Sequence, residues 1–386
     1  MKGVSLPDGW LEFKGRDVAN MRPGTHAKHF LLNWGKDLGW ARYDAESLEL
    51  QVESVRFGYE DGSWDDFSTL TWHVATPDYK SFLIYQGRGI SLFRKPNSNK
   101  ADMQVLDLEY NGGANWMAVD PGFQKAMVPL QRKINMFKDA DLGGTPLVPF
   151  KVDLVKGAFT PYPMDHYADS YLGPDFILWR HYAPGKSEGE SAVTTHFSAT
   201  DFDLKDRENP LVTLLNRRKD SLPDFMERFA ISPQGWALMG VHSLTLQPAI
   251  YLLSPQGDGS IQRLFEGGTI PIPDESLRRC AVSGDGQYFA TITSHDREYF
   301  PSAKGHVIHL GRVEKLNGGF AARITRIGDF PDLWIGPPVW IPGTHALVVN
   351  TNPIDKPSLL RIYDLDKHPI DWSKVPFATP VEAVGP

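Results

Sequence analysis

Ser294, His295 and Asp296 follow one another near the end of an apolar run, and hydrolases use these side-chain types as nucleophile, base and orienting group. A catalytic triad is defined by its geometry, and three neighbours in sequence do not normally line up in these roles. We therefore interpret the run as a strand that ends in a polar loop, where Asp296 caps a turn. These residues contribute at most to binding, and no catalytic residue is assigned.

Two histidine pairs have the His-x-x-His spacing, His26 with His29 and His306 with His309. In a strand, a spacing of three residues puts the two rings on opposite faces, which disfavours chelation of one ion. Asp165 and His166 lie in a segment rich in Tyr, Asp and Pro, and they leave a metal site open as an alternative. We expect no metal ion and no other cofactor.

The composition bounds the class of protein. The chain has 386 residues, 41% of them hydrophobic, one cysteine and a formal net charge of −7. Because a sequence-independent grip on nucleic acid needs clustered Lys and Arg, we expect no nucleic-acid partner. No run reaches the roughly 18 apolar residues of a membrane span, and the first residues lack the apolar core of a signal peptide. As written, the chain is expected to be a cytoplasmic monomer, or periplasmic or secreted if a leader was trimmed.

Strands rather than helices must position the polar residues. Segments such as SFLIYQG (81–87) and QYFATITS (287–294) alternate with period two and are rich in β-branched and aromatic residues. Helical periodicity is nearly absent, although residues 220–229 and 274–280 could each supply a turn or two of helix. The pattern predicts an all-β fold.

A turn that combines Pro or Gly with a small polar residue recurs just before an apolar strand. Its marker residues are Pro77, Pro121, Pro174, Pro233, Gly284 and Pro342, at intervals of 44, 53, 59, 51 and 58 residues. A weaker copy at 33–44 would start the series. A unit of this length, with about four short strands that cannot bury their faces alone, is typical of a β-propeller blade.

We therefore predict an all-β, single-domain β-propeller, with seven blades as the best fit and six or eight still compatible. The approximate blades are 20–60, 61–102, 103–150, 151–212, 213–268, 269–328 and 329–386. The segment Trp10–Phe13 is predicted to complete the last blade alongside the C-terminal strands. Gly235, Gly286 and Gly343 are predicted to lie in tight turns with a positive backbone φ.

The stretch PPVWIPGTHALVVNTNPIDKPSLLRIYDLD, 337–366, resembles the repeat of TolB-like propellers, in which a Trp-Ser-Pro-Asp-Gly turn precedes a strand, a polar link and a strand ending in Tyr-x-x-Asp. Residues 230–259 follow the same outline, with Gln234 where the TolB-like turn has Asp. The likeness extends to WD-repeat-like propellers as a repeat class, although their Gly-His and Trp-Asp signature is missing. The resemblance implies a repeat class and no particular function.

Polar residues that end the strand after each marker turn would fall at one end of such a propeller, because equivalent positions in successive blades are related by rotation. Ligand sites on rigid scaffolds commonly lie where loops converge, so we predict a polar channel mouth there. Its members are Arg132, Arg180, His181, His242, Ser243, His295, Asp296 and Asn350.

Two functions stay open at this point. The first is a non-enzymatic binding or scaffold propeller that presents its loops and the channel mouth to a protein or peptide partner. The alternative is a propeller hydrolase or lyase that acts on a sugar or lactone, with His181, His242 and His295 as bases or ligands. A convergent cluster of His and carboxylate with shifted pKa values in the channel would favour the enzyme.

Overall fold

The structure is a computed structural model that describes residues 1–14, 18–24, 26–34, 37–57, 72–76, 78–86, 89–98, 100–105, 110–111, 118–120, 122, 124–132, 147–161, 168–172, 175–183, 193–218, 226–232, 235–242, 249–255, 261–263, 270–271, 276–294, 306–316, 319–330, 333–353 and 358–379. The chain divides into two compact units. The terminal unit consists of residues 1–54 and 225–386, and the central unit of residues 55–224.

Among the described residues, antiparallel strands form seven sheets. The terminal unit begins with β1 (Val4–Ser5) and β2 (Trp10–Phe13), followed by sheet 1 with β3 (Val18–Pro23), β4 (His29–Trp34), β5 (Asp37–Asp44) and β6 (Glu49–Val55).

The central unit contains three of these sheets and the helix α1 (Pro210–Arg218). Sheet 2 consists of β7 (Trp72–Ala75), β8 (Phe82–Gln86), β9 (Gly89–Phe93) and β10 (Met103–Val105). Sheet 3 consists of β11 (Tyr110–Asn111), β12 (Ala118–Val119), β13 (Lys125–Arg132), β14 (Leu147–Asp153) and β15 (Ala158–Pro161). Sheet 4 consists of β16 (Ala168–Leu172), β17 (Ile177–Ala183) and β18 (Val193–Thr200).

The chain then returns to the terminal unit and forms three more sheets. Sheet 5 consists of β19 (Met226–Ile231), β20 (Ala237–His242), β21 (Ala249–Pro255), β22 (Ile261–Arg263) and β23 (Ile270–Pro271). Sheet 6 consists of β24 (Ser276–Val282), β25 (Tyr288–Ser294), β26 (His306–Leu316), β27 (Gly319–Phe330) and the C-terminal β32 (Phe377–Ala378). Sheet 7 consists of β28 (Leu333–Ile335), β29 (Val339–Trp340), β30 (Ala346–Pro353) and β31 (Leu359–Asp364), joined by β2 and β1.

The N-terminal strand β2 pairs antiparallel with β31, with Trp10 opposite Tyr363 and Phe13 opposite Leu360. The prediction that Trp10–Phe13 completes the last sheet is therefore confirmed. Apolar side chains of sheets 1 and 7, among them Leu32, Tyr43 and Val348, share one fully buried cluster. The opposite face of sheet 7, with Leu347 and Val349, is buried in a second cluster that it shares with sheet 6, so sheet 7 is buried on both faces.

The repeated turn has the same construction wherever it is described. In the turn 283–288, the amide of Ser283 donates to the carbonyl of Tyr288 (2.9 Å), and the Gly286 amide donates back to the carbonyl of Ser283 (3.0 Å). The same closing bond joins the first and last residues of 76–81, 120–125, 232–236 and 341–346. Gly235, Gly286 and Gly343 have φ values of 88°, 70° and 69°, which confirms the prediction of a positive φ.

Three local expectations were wrong. The stretch 33–44 contains the hairpin between β4 and β5, the second and third strands of sheet 1, whereas the marker turns lie between the first and second strands of their sheets. In sheet 1 that place belongs to turn 24–29, in which the Gly24 amide donates to the carbonyl of His29. Within the described residues, 276–280 belongs to β24 and 226–229 belongs to β19 rather than to helices.

The helix α1 begins instead after Asn209, whose side chain accepts a hydrogen bond from the Leu211 amide at 2.9 Å. Asn as N-cap followed by Pro at the first helical position is a known start signal. None of the helical segments in the described ranges has the length and apolar character that a membrane span needs.

Candidate functional site

The predicted channel-mouth residues occupy equivalent strands. Arg132 ends β13, Arg180 and His181 lie on β17, His242 ends β20 and Asn350 lies on β30; each of these strands follows a marker residue. Arg132, Arg180 and His181 belong to the central unit, and His242 and Asn350 to the terminal unit. For Arg132 and His242 the structure describes the strand position alone. Ser243, His295 and Asp296 lie outside the described residues.

Arg180 and His181 are both more than nine-tenths buried, and as neighbours in a strand they point to opposite faces of sheet 4. The His181 ring stacks on that of His196, its cross-strand partner, at 4.1 Å between centroids. The Nε2 atom of His181 lies 2.7 Å from the hydroxyl of Ser198. Sheet 4 thus brings an imidazole and a hydroxyl within hydrogen-bond distance on one face.

Asn350 is buried, and its side-chain amide donates to the backbone carbonyl of Val18 at 3.1 Å. The hydroxyl of Ser358 binds the same residue, accepting from the Val18 amide at 2.5 Å. A Cβ atom on Gly336 would lie 1.8 Å from the Asn350 amide oxygen, so this position needs glycine. The Asn350 side chain therefore fastens β3 of sheet 1 to sheet 7.

The candidate metal-binding and thiol residues are also placed. His26 and His29 stand edge to face at 5.8 Å between ring centroids, and His306 and His309 are both buried in β26. Cys280 is half-buried in β24 beside the core of sheets 5 and 6. Among the residues that the structure describes, no group of three or more His, Cys, Asp or Glu side chains is arranged to hold a metal ion.

Repeated turns of the terminal unit touch one another in a row. The Trp236 ring of turn 232–236 packs on Gly286, where an added Cβ would lie 2.1 Å from the ring. Between turns 283–288 and 341–346, His345 Nε2 lies 3.1 Å from the Asp285 carboxylate. The Lys28 amide of turn 24–29 donates to the carbonyl of Pro342 at 2.7 Å. We call these four turns the turn row.

The His345 ring is held at both nitrogens, because its Nδ1 atom also lies 3.2 Å from the carboxylate of Asp366. Burial disfavours the charged imidazolium, but the hydrogen bonds to Asp285 and Asp366 outweigh it and raise the pKa of His345. Burial also opposes ionisation of Asp285, whose pKa is nevertheless lowered by its bonds to Ser283, the Gln287 amide and His345. Two carboxylates can both accept from one ring only when both nitrogens carry protons, so this contact favours imidazolium.

His345→Gln is expected to destabilise the protein more at about pH 5.5 than at about pH 8. The raised pKa of His345 gives a stabilisation that is complete below the unfolded value of about 6.5 and is lost as the pH rises through the folded value. The lowered pKa of Asp285 also stabilises the folded protein, but this contribution is lost in acid, as the pH falls through the folded value. The difference in stability between wild type and His345→Gln is therefore largest between about pH 4 and 6.5.

Because His345 is about one-third exposed, we expect a difference of about 0.5–1 kcal/mol from urea unfolding at the two pH values. His368→Gln is the control, since the His368 ring makes no hydrogen bond within the described part of the chain. An equal loss of stability at both pH values for His345→Gln would contradict the charged contact.

A groove of about 520 Å³ opens beside one end of the turn row, on a face of sheet 1. Ala41 and Tyr43 of β5 point into the buried cluster, so Trp40 and Arg42 point to the opposite face. Opposite Arg42 on β4 stands His29. The groove is lined by Ala27, Lys28, His29, Trp40, Arg42, Gln51 and Glu53.

Three polar side chains of this groove are available to bind a ligand. Among the described residues, Arg42, Gln51 and Glu53 make no side-chain hydrogen bond or ion pair. Arg42 and both β6 residues are exposed, whereas the Trp40 ring is half-buried. A cation, an amide and a carboxylate thus converge around an indole ring with their hydrogen-bonding capacity free.

Sequence reasoning missed both the groove and the turn row. The alternation in DLGWARYD was a signal that Trp40 and Arg42 share a face, but the phase of sheet 1 was needed to say which face is open. Sequence reasoning also passed over a Gly-Lys-Ser-Glu-Gly run at 185–189, which has the spacing of a nucleophile elbow and lies outside the described residues.

No known protein family and no curated protein matches this sequence. Among solved structures, the chain is similar to the Swd1 β-propeller domain of Myceliophteria thermophila, with a TM-score of 0.54, 11% identity, and coverage of 92% of this chain and 99% of that one. It is similar to an oligogalacturonate lyase of Vibrio parahaemolyticus, with a TM-score of 0.52, 10% identity, and coverage of 95% and 99%. TolB from Acinetobacter baumannii also matches, with a TM-score of 0.36, 13% identity, and coverage of 89% and 78%.

The likenesses to the first two structures show the fold. The chain is an all-β protein of the β-propeller class, as the repeat of turn and strand predicted. The blade boundaries drawn from the marker residues stay predictions.

Proposed function

We propose that this chain is a binding propeller that presents its loops to a protein or peptide partner. The observation that supports this function is the turn row, in which four turns of the terminal unit contact one another in a line. Each turn is closed by backbone hydrogen bonds, and two of them contain a glycine at positive φ that touches the next turn. Such a surface loses little conformational entropy when a partner docks on it.

The channel mouth is the second surface of the proposal. Its members are Arg132, Arg180, His181, His242, Ser243, His295, Asp296 and Asn350. Their support is the equivalence of the strands that carry the described members. The burial of Arg180, His181 and Asn350 limits what they can offer a large partner, so we assign the main contact to the turn row.

The test is an affinity capture from native lysate followed by mass spectrometry, with three matched baits. The turn-row variant combines Gln287→Arg with Lys367→Glu, two exposed positions next to Asp285 and Asp366. The control combines Lys315→Glu with Thr379→Arg, which are exposed elsewhere and change the charge equally. We expect the wild-type and control baits to capture the same partner, and the turn-row variant to capture at least about fivefold less of it.

Equal capture by all three baits would contradict the turn row as the contact. An Arg180→Ala, His242→Ala double variant in the same assay reports on the channel mouth. If that variant alone loses the partner, the contact belongs to the channel mouth and not to the turn row.

The second candidate is a hydrolase or lyase acting on a sugar or lactone, with His181, His242 and His295 as bases or ligands. It is favoured by the 2.7 Å approach of His181 Nε2 to the Ser198 hydroxyl, the distance of a base and its nucleophile. One of the similar structures is by name a lyase of oligogalacturonate. Turnover of a sugar or lactone substrate that His181→Gln abolishes, while the thermal melt is unchanged, would favour this candidate over the binding propeller.

A further inference from the structure

We infer that the groove on sheet 1 is a binding site for a sugar acid, meaning a pyranose that carries a carboxylate. The site is formed by Trp40 and Arg42 of β5, Gln51 and Glu53 of β6, and Lys28 of the preceding turn. It shares no residue with the predicted channel mouth, although it shares turn 24–29 with the turn row.

The size and openness of the groove suit one or two sugar rings. Its volume of about 520 Å³ lies within the range of about 300–1,000 Å³ that small-molecule sites occupy. Its walls come from two adjacent strands and from the backbone-bonded turn 24–29, whose Lys28 carbonyl accepts from the Tyr43 amide at 2.9 Å. The groove is therefore held in shape by the sheet rather than by a loose loop.

The charges of one part of the groove suit an anion. The guanidinium of Arg42 has no ion pair among the described residues and can bind a carboxylate with two parallel hydrogen bonds. Lys28 adds a second positive charge, which it shares with the nearby carboxylate of Asp44. In a chain of net charge −7, this is a local site for a negative group.

The other groups require hydroxyls and an apolar surface. The Glu53 carboxylate accepts hydrogen bonds only, and the Gln51 amide both donates and accepts, so together they match hydroxyl groups, which do both. The half-buried Trp40 side chain lies beside Arg42 on the same face and contributes apolar surface to the wall of the groove. A pyranose with one carboxylate meets all of these requirements.

An acidic peptide is the competing occupant. Its side-chain carboxylates would satisfy Arg42 and Lys28, but a carboxylate carries no donor for Glu53 and would be repelled by it. A sugar acid is therefore the expected occupant, and binding of an acidic peptide in its place would contradict this assignment.

The first experiment uses an array of sugars ending in uronic or sialic acids, each beside its neutral counterpart, followed by calorimetry with methyl glucuronide and methyl glucoside. We expect binding of the acidic sugars and at least about tenfold weaker binding of the neutral ones, because a bidentate charged hydrogen bond is lost. No binding of any acidic sugar, or equal binding of the two methyl sugars, would overturn the proposal.

The second experiment locates the site with matched variants. Arg42→Gln is expected to weaken the acidic sugar at least about tenfold, and Glu53→Gln to weaken acidic and neutral sugars alike. Lys315→Gln removes an exposed charge elsewhere and should leave the affinity unchanged. Because Arg42 and Glu53 make no side-chain bond in the described chain, both variants should melt like wild type.

Three results would overturn the site assignment. The first is an acidic sugar that binds Arg42→Gln as tightly as wild type. The second is a loss of affinity in Lys315→Gln equal to that in Arg42→Gln. The third is a hexaglutamate peptide that binds as tightly as methyl glucuronide and competes with it. If Arg42→Gln unfolds at a lower temperature than wild type, Gln51→Ala replaces it in the experiment. We then expect Gln51→Ala to bind the sugar more weakly, and unchanged binding would contradict the site assignment.

Discussion

Replacement of Trp10 by alanine should lower the free energy of unfolding by about 3–5 kcal/mol. The Trp10 side chain is fully buried and lies edge to face with Phe330 at 5.8 Å and with Tyr363 at 5.3 Å. Its indole N–H donates to the backbone carbonyl of Ile327 at 2.8 Å. One side chain thus joins the N-terminal strand to β31 of sheet 7 and to β27 of sheet 6, and its loss opens a large cavity between them.

Urea unfolding of Trp10→Ala, Trp10→Phe and Leu316→Ala gives the measurement. Trp10→Phe keeps the aromatic packing but leaves the Ile327 carbonyl without its donor, so it should cost about 1–3 kcal/mol. Leu316 is 46% exposed, and its replacement should change stability by less than about 0.5 kcal/mol. A Trp10→Ala loss as small as that of Leu316→Ala would show that β2 does not complete sheet 7.

The second large effect is expected for Gly286→Val, at roughly 3–5 kcal/mol. Gly286 has a φ of 70°, where a β-branched residue is strained, and an added Cβ would lie 2.1 Å from the Trp236 ring. At Gly343, φ is 69° but the added atom would lie 3.0 Å from the Cβ of Ala27, so Gly343→Val should cost only about 1–3 kcal/mol.

The two glycine variants are compared by thermal and urea unfolding, in the wild-type and in a Trp236→Ala background. The excess cost of Gly286→Val over Gly343→Val should disappear without the indole ring, because only the strain of the positive φ then remains. If the two glycine variants are equally destabilised in the wild type, the contact between turns 232–236 and 283–288 is wrong.

The repeated turns could be predicted from the sequence because their structure is local. The run Ser-Gly-Asp-Gly before Tyr288 specifies the bonds that close the turn, in which the Ser283 hydroxyl donates to Asp285 at 2.7 Å and accepts from the Tyr288 amide at 3.0 Å. The positive φ of Gly286 follows from the same few residues. The propeller class then follows from the recurrence of the turn at blade-length intervals.

The stretch 33–44 shows where local reasoning fails. Its sequence resembles the marker turn, yet the strands that it contains are β4 and β5, the second and third of sheet 1, and not the first and second. A turn sequence specifies a hairpin but not which hairpin of the repeat it is, since every hairpin uses similar residues.

The turn row depends on contacts between segments that are distant in sequence. His345 and Asp285 are 60 residues apart, and Lys28 and Pro342 are 314 apart. The burial of Asn350 also depends on a distant segment, because its hydrogen-bond partner Val18 comes from the other end of the chain. A polar residue at the end of a strand has the same appearance in sequence whether it faces solvent, fastens another strand or binds a ligand.

The proposal that the turn row binds a partner is tested most directly by hydrogen–deuterium exchange on the protein with and without the captured partner. We predict slower exchange on binding in peptides that cover 24–29, 283–288 and 341–346, and unchanged exchange in the β26–β27 hairpin around Lys315. Protection confined to that hairpin, or no protection of the turn row by a partner that demonstrably binds, would contradict it.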